Sequence, residues 1–116
     1  MSTPFRGLTP GIVTDAASLA LDLKPLPAEL VVEGAPSAGY VELTSAIGIW
    51  EHTPGISTDV EADEVFVVLS GSATVSFDDP SLSPIELHAG SIARLTAGMR
   101  TVWTVRETLR KLYVAG

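Results

Sequence analysis

From residue 40 onward, the chain is a succession of short stretches in which apolar and polar side chains alternate. An alternation with a period of two is typical of a strand with one buried face. Turn-forming pairs such as Pro54-Gly55 and Ser70-Gly71 divide the stretches, because proline presets one turn residue and glycine adopts a positive φ at another. The pattern predicts strands at residues 40–44, 47–53, 56–60, 64–69, 72–77, 85–88, 92–95, 101–106 and 111–114. So many short strands at this spacing indicate an all-β sandwich or barrel.

The first forty residues differ from the rest, since five of the eight prolines lie between Pro4 and Pro36. Leu19 and Leu23 fit one or two helical turns, and an extended arm over the barrel is the alternative. We expect residues 1–29 to form an N-terminal arm or short helix packed on the barrel. Residues 30–116 are expected to form the barrel domain, beginning with a short strand at residues 30–32.

Composition excludes several classes of function. The 116 residues carry 14 acidic and 7 basic side chains, for a net charge of −7. This charge argues against binding to nucleic acid phosphates or anionic membranes. The chain has no cysteine, which excludes disulfides and thiolate metal sites. With no apolar run of membrane-spanning length and no signal-peptide pattern, we expect a cytoplasmic protein.

Two glycine-bearing segments carry a family resemblance. Six residues separate Glu64 from Gly71, and a second segment runs from Gly90 to Gly98. Together with the sequence GIWEHTPG at residues 48–55, these segments resemble the cupin superfamily. The resemblance is strongest to the small group of ureidoglycine aminohydrolase-like and ethanolamine-utilisation Q-like proteins, and covers residues 30–114. It implies a single jelly-roll β-barrel of two packed antiparallel sheets.

In metal-binding cupins, the resemblance implies a metal site built from three histidines and one glutamate, a set suited to a first-row divalent ion. With the family pattern aligned on Glu64, the first two histidine positions fall at Ser57 and Asp59. If the spacing before the glutamate is one residue shorter, they fall at Thr58 and Val60. The third falls near Thr101. Only the glutamate is retained, so we expect no metal cofactor. If a divalent ion binds, Asp59, Glu64 and His52 are its expected ligands.

Polar and aromatic residues on the predicted inward faces outline a ligand pocket. Glu64 shares a strand face with apolar residues, so its carboxylate requires a partner, and Arg94 is the expected one. That arginine would also bind a ligand carboxylate in bidentate geometry. Glu61 and Asp63 are expected to be solvated turn residues. The expected pocket consists of Trp50, Asp59, Glu64, Arg94, Thr101 and Trp103.

Three functional classes follow from this pocket. The first is metal-free binding of a small polar metabolite, carboxylate-bearing compounds included. The second is an enzyme, a hydrolase or isomerase, in which Glu64 or His52 acts as general base. The third is a non-catalytic oligomerisation module. For Trp50 and Trp103 the alternative is core filling, and for His52 it is a surface or capping position.

The strand at residues 64–69 is apolar on both faces. If Phe66 points inward with Glu64, then Val65, Val67 and Leu69 point outward. An outward apolar row needs cover from the N-terminal arm or from another subunit, and burial between two sheets of one chain is the alternative. We expect a homodimer.

Overall fold

The computed structural model describes residues 7–116, and strands make up most of them. One short 3-10 helix, Ala28–Leu30, lies near the start of the folded part. Within these residues, no helix is long and apolar enough to cross a membrane. The strands of this described part are β1 Lys24–Pro25, β2 Val31–Glu33, β3 Ser37–Glu42, β4 Ile47–His52, β5 Gly55–Val60, β6 Glu64–Phe77, β7 Ile85–Leu87, β8 Ile92–Leu95 and β9 Arg100–Ala115.

Every pairing between strands is antiparallel, and the two longest strands, β6 and β9, belong to both halves of the fold. Residues 109–114 of β9 pair with β4, and residues 100–105 pair with β5. β6 accompanies β9 along both parts and carries β8 at one end and β7 at the other. One sheet therefore has the order β1-β3-β4-β9-β6-β8, and the other has the order β2-β5-β9-β6-β7.

The predicted division between strands 64–69 and 72–77 is wrong, because both belong to β6. The register between β6 and β9 shifts three times between Val68 and Ala73. At the centre of this irregular region, Gly71 has a φ of 96°, and a Cβ there would collide with the Thr108 carbonyl oxygen. A glycine inside a strand marks a bend where another backbone comes close. The segments 101–106 and 111–114 are likewise joined in β9.

The core lies between the two sheets, and inward residues alternate along the strands as predicted. Phe66 and Val68 are buried, whereas Val65, Val67 and Leu69 are half-buried. Cover of this outward row by a second copy of the chain stays a prediction. The buried core consists of Phe66, Val68, Ala73, Val75, Leu87, Leu95, Trp103, Val105 and Leu109.

The N-terminal arm, residues 7–23, packs on its own chain. It contains no helix, only two turns: Ile12 donates its amide hydrogen to the Thr9 carbonyl and Leu19 to the Asp15 carbonyl, both at 3.0 Å. Arg110 of β9 fixes the arm, because its Nη1 donates to the carbonyl oxygens of Ala16 and Leu19 at 2.9 and 2.7 Å. The Nε of the same side chain pairs with Glu51 at 2.8 Å. Residues 15–23 therefore form a turn and coil rather than a helix. The prediction of an arm over residues 1–29 stays a prediction, and its first six residues lie outside the described part of the chain.

Candidate functional site

A cavity of about 250 Å³ opens on the inward faces of β3, β4, β5 and β9, next to the loop that joins β5 to β6. Period-two alternation brings its side chains together from strands that are distant in sequence. Its walls combine two tryptophans and two tyrosines with three carboxylates and one lysine. The side chains that matter most here are Tyr40, Trp50, Asp59, Glu61, Glu64, Trp103, Lys111 and Tyr113.

A buried ion pair forms one side of the cavity. Lys111 is only 4% exposed, and its Nζ lies 2.7 Å from Oε2 of Glu64. The same ammonium lies over the rings of Trp50, Phe66 and Trp103, at 4.6, 4.5 and 4.8 Å from their centroids. Ring faces attract a cation, and the charge-assisted hydrogen bond pairs both charges. Glu64 therefore has the partner that its strand position requires, but that partner comes from β9.

Arg94 lies outside the cavity, so its assignment as the partner of Glu64 is wrong. In the pairing of β6 with β8, Arg94 stands opposite Val65, whereas Glu64 stands opposite Leu95. Residues directly opposite each other share a face of the sheet. Adjacent residues of a strand point to opposite faces. Leu95 therefore lies on the buried face with Glu64, and Arg94 lies on the exposed face.

Glu61 is a buried acid of the cavity wall rather than a solvated one. It is only 7% exposed, and its Oε2 accepts hydrogen bonds from the Thr101 hydroxyl at 2.6 Å and from Trp103 Nε1 at 3.0 Å. Its backbone is fixed as well, since its amide donates to the Met99 carbonyl and its carbonyl accepts from Gly98. The expectation of a solvated turn residue is wrong, because the loop after β5 returns this carboxylate to the interior.

Asp59 and Tyr113 add two further polar groups to the cavity wall. Partial burial, and next the neighbouring charge of Glu61, raise the pKa of the Asp59 carboxyl. For Tyr113, burial, followed by the charge of Glu42, raises the pKa of the phenol to about 12. The phenol therefore stays a hydrogen-bond donor at neutral pH. Its ring has room because Gly48 lies against it, where any Cβ would overlap the ring.

His52 is buried below the cavity rather than on the surface, so the expected surface or capping position is wrong. It is 2% exposed, and its ring lies 5.5 Å from that of Trp50. Nδ1 is 2.6 Å from the Thr53 carbonyl oxygen and Nε2 is 2.9 Å from Ser57 Oγ. Since a carbonyl only accepts, the proton is on Nδ1 and Nε2 accepts from the serine. Burial lowers the pKa of His52, against the opposing effect of the Thr53 carbonyl.

The residues at the metal-ligand positions do not fit a metal ion. Ser57 is bonded to His52, Thr101 to Glu61, and Glu64 to Lys111. Among residues 7–116, no group of three or more histidine, cysteine, aspartate or glutamate side chains is placed to hold a metal. The set Asp59, Glu64 and His52 is not brought together, because the imidazole is committed below the cavity. Of the expected pocket, Trp50, Asp59, Glu64 and Trp103 line it, and Thr101 supports it from behind.

Comparison with known families agrees with this architecture. The EutQ-like cupin domain matches residues 42–113, more than half of the chain. The chain belongs to this family. The predicted resemblance and the all-β jelly roll are thereby confirmed. A comparison with curated proteins finds no match.

Three solved structures illustrate the similarity. A putative ethanolamine utilization protein Q from Salmonella typhimurium is 20% identical, with a TM-score of 0.55 and 68% of each chain covered. The EutQ protein of Clostridium difficile is 14% identical, with a TM-score of 0.60, over 78% of this chain and 74% of that one. A protein of unknown function from Acidithiobacillus ferrooxidans is 25% identical, with a TM-score of 0.60, over 85% and 92%. The two EutQ similarities show the fold alone.

Proposed function

We propose that this EutQ-like cupin binds a small polar metabolite in the 250 Å³ cavity, without a metal centre. The observation that supports the proposal most is the fixed carboxylate of Glu61. Thr101 and Trp103 hold its Oε2, which leaves Oε1 for a ligand. A concave site with aromatic walls and a few oriented polar groups is the usual form of a ligand pocket.

The charges of the cavity favour a ligand rich in hydrogen-bond donors. Asp59, Glu61 and Glu64 supply three carboxyl groups, and Lys111 is already paired with one of them. Carboxylates accept hydrogen bonds, so hydroxyl and amino groups are their natural partners. The carboxylate-bearing ligand in the sequence-based expectation depended on Arg94, which lies on the other face of β8. The volume is below the usual range for drug-sized ligands, and a compact metabolite fits it best.

The experiment is a thermal-shift screen of small amino alcohols, polyols and amides, with monocarboxylic acids as the contrasting set. Calorimetry on the best compound then compares the wild type with Glu61→Gln and Glu107→Gln. Loss of a hydrogen bond to a charged group costs about 2 kcal/mol, so we expect Glu61→Gln to bind about 10- to 100-fold more weakly. Glu107 is exposed, and the same change there should leave affinity unaltered.

Two outcomes would contradict the proposal. One is unchanged affinity in Glu61→Gln. The other is preferential binding of monocarboxylic acids that Arg94→Ala abolishes, which would restore the arginine as the anchor. Retained thermal stability of each variant confirms that the comparison concerns binding rather than folding.

An enzymatic function is the second candidate, and the pairing of Asp59 with Glu61 favours it. Both residues line one cavity, and the charge of Glu61 contributes to the raised pKa of Asp59. A carboxyl group with a raised pKa beside a second carboxyl group is a common acid–base arrangement. The third class, a module with a closed pocket, receives less support because the cavity beside Trp50 and Trp103 is open. Turnover of a bound compound that Asp59→Asn abolishes, while binding persists, would favour the enzyme.

A further inference from the structure

We propose that the Lys111 ammonium is the built-in cation of this barrel and takes the place of a metal ion at Glu64. Glu64 is the one residue retained from the metal-ligand set that the cupin resemblance implies. Its Oε2 is 2.7 Å from Lys111 Nζ. The inference goes beyond the proposed binding function, because it concerns which cation the site holds rather than which metabolite.

The surroundings of Lys111 are those of a constructed cation site. Lysine is almost never fully buried unless it is paired, and here it is 4% exposed. The rings of Trp50, Phe66 and Trp103 surround the ammonium at 4.5–4.8 Å. In the strand register, Lys111 stands between Trp50 of β4 and Val68 of β6. Within residues 7–116, no buried side-chain nitrogen or oxygen lacks a hydrogen-bond partner.

The position of this ammonium decides whether Glu64 can receive a divalent ion. A metal ion bound to Glu64 would lie next to the Lys111 ammonium, which already contacts that carboxylate. Two positive charges repel each other strongly in this partly buried wall of the cavity. Asp59 and Glu61 line the same cavity, so removal of the ammonium leaves three carboxylates there without a compensating cation. An imidazole at position 111 would add a nitrogen donor to those oxygens, a set that suits Zn²⁺ or Co²⁺.

The experiment measures metal uptake in the wild type, Lys111→His and the double variant Lys111→His/Glu64→Gln. Each protein is incubated with Zn²⁺ or Co²⁺, dialysed, and analysed for metal content, with titration calorimetry for affinity. We expect little metal in the wild type, about one ion per chain in Lys111→His, and at least about a tenfold loss of affinity in the double variant. Lys24→His is the matched control, because Lys24 is exposed and also lies beside a carboxylate, at 3.1 Å from Asp22.

The outcomes separate clearly. The proposal would be overturned if the wild type bound as much metal as Lys111→His. It would also be overturned if Lys111→His bound no more metal than a metal-free wild type. Metal uptake that persists in the double variant with Glu64→Gln, or that is equally large in Lys24→His, would mean that the metal binds elsewhere. Either result would overturn the proposal. None of these results depends on metabolite binding, so failure of the proposed function leaves them interpretable.

A measurement on the wild type covers the case in which the variants do not fold. We expect ring currents from the three aromatic rings to shift the Lys111 Hε resonances upfield in a carbon–proton correlation spectrum. Addition of Mn²⁺ should leave the Glu64 Cγ resonances sharp, while exposed carboxylates such as Glu107 broaden. Broadening at Glu64 at the same Mn²⁺ concentration would overturn the proposal.

Discussion

The indole Nε1 of Trp103 donates a 3.0 Å hydrogen bond to the Glu61 carboxylate, although the two residues are 42 positions apart in sequence. The same carboxylate oxygen accepts from Thr101 at 2.6 Å. These contacts tie the loop after β5 to the inner face of β9. One wall of the cavity is therefore held by the hydrophobic core, and the orientation of the carboxylate follows from the packing of a tryptophan.

We predict that Glu61→Ala lowers the free energy of unfolding by about 2 kcal/mol. The substitution removes the nearest acceptor of a buried indole N–H and a buried hydroxyl, which keep only longer contacts to Thr101 Oγ1 at 3.2 Å and to the Asp59 carbonyl at 3.5 Å. Glu61→Gln should lose less, because its amide oxygen still accepts. Urea denaturation followed by tryptophan fluorescence measures the difference. Glu107→Ala, at an exposed position, is the control and should change stability by no more than about 0.5 kcal/mol. Equal stability of Glu61→Ala and the control would show that the contact is dispensable.

We predict that stability falls on acidification and that His52 accounts for much of the change around its own pKa. Burial lowers the pKa of His52 from its ordinary value of 6.5. Between the folded and unfolded pKa values, the unfolded chain binds the proton more readily. The free energy of unfolding therefore falls as the pH drops below about 6.5 and levels off with respect to this group below the folded pKa.

The two histidines of the chain provide a matched test of this dependence. Urea denaturation is measured between about pH 7.5 and 5.5 for the wild type, His52→Gln and His88→Gln. His88 is exposed, so its replacement should leave the slope with pH unchanged. His52→Gln should flatten the slope, whatever its effect at pH 7.5. A slope that persists in His52→Gln would assign the acid sensitivity to carboxyl groups instead.

The alternation of apolar and polar residues predicted the inward faces of the strands correctly, because burial on one side of a sheet repeats every second residue. It could not predict that Glu64–Phe77 and Arg100–Ala115 are single long strands, since serine, glycine and threonine occur equally at turns and at bends. Arg94 shows where alternation alone is insufficient. Its strand was located correctly at Ile92–Leu95, but its face depends on a register that only the pairing of Glu64 with Leu95 sets.

Glu61 and Lys111 best define the cavity, yet neither belongs to the pocket predicted from the sequence. The sequence nevertheless contains a pattern that points to each of them. Lys111 shares the parity of Trp103 along β9, so an unbroken strand points it inward, toward a carboxylate. Trp103, once placed inside, needs an acceptor for its indole N–H, and an acid in the adjoining loop can provide one. Which acid does so depends on the path of a loop, and composition does not determine that path.

The bend of β6 at Gly71 gives a last prediction, because β6 passes from one sheet to the other there. Gly71→Ala should lower the free energy of unfolding by about 3 kcal/mol or more, since it combines a strained positive φ with a Cβ that meets the Thr108 carbonyl. Gly90 has nearly the same φ, 93°, but open space around its Cβ position. Gly90→Ala should therefore cost only about 1 kcal/mol, the price of the backbone conformation alone. Urea denaturation of the two variants isolates the steric contribution, and equal losses would mean that the strand can move away from Thr108 and that the bend does not require glycine.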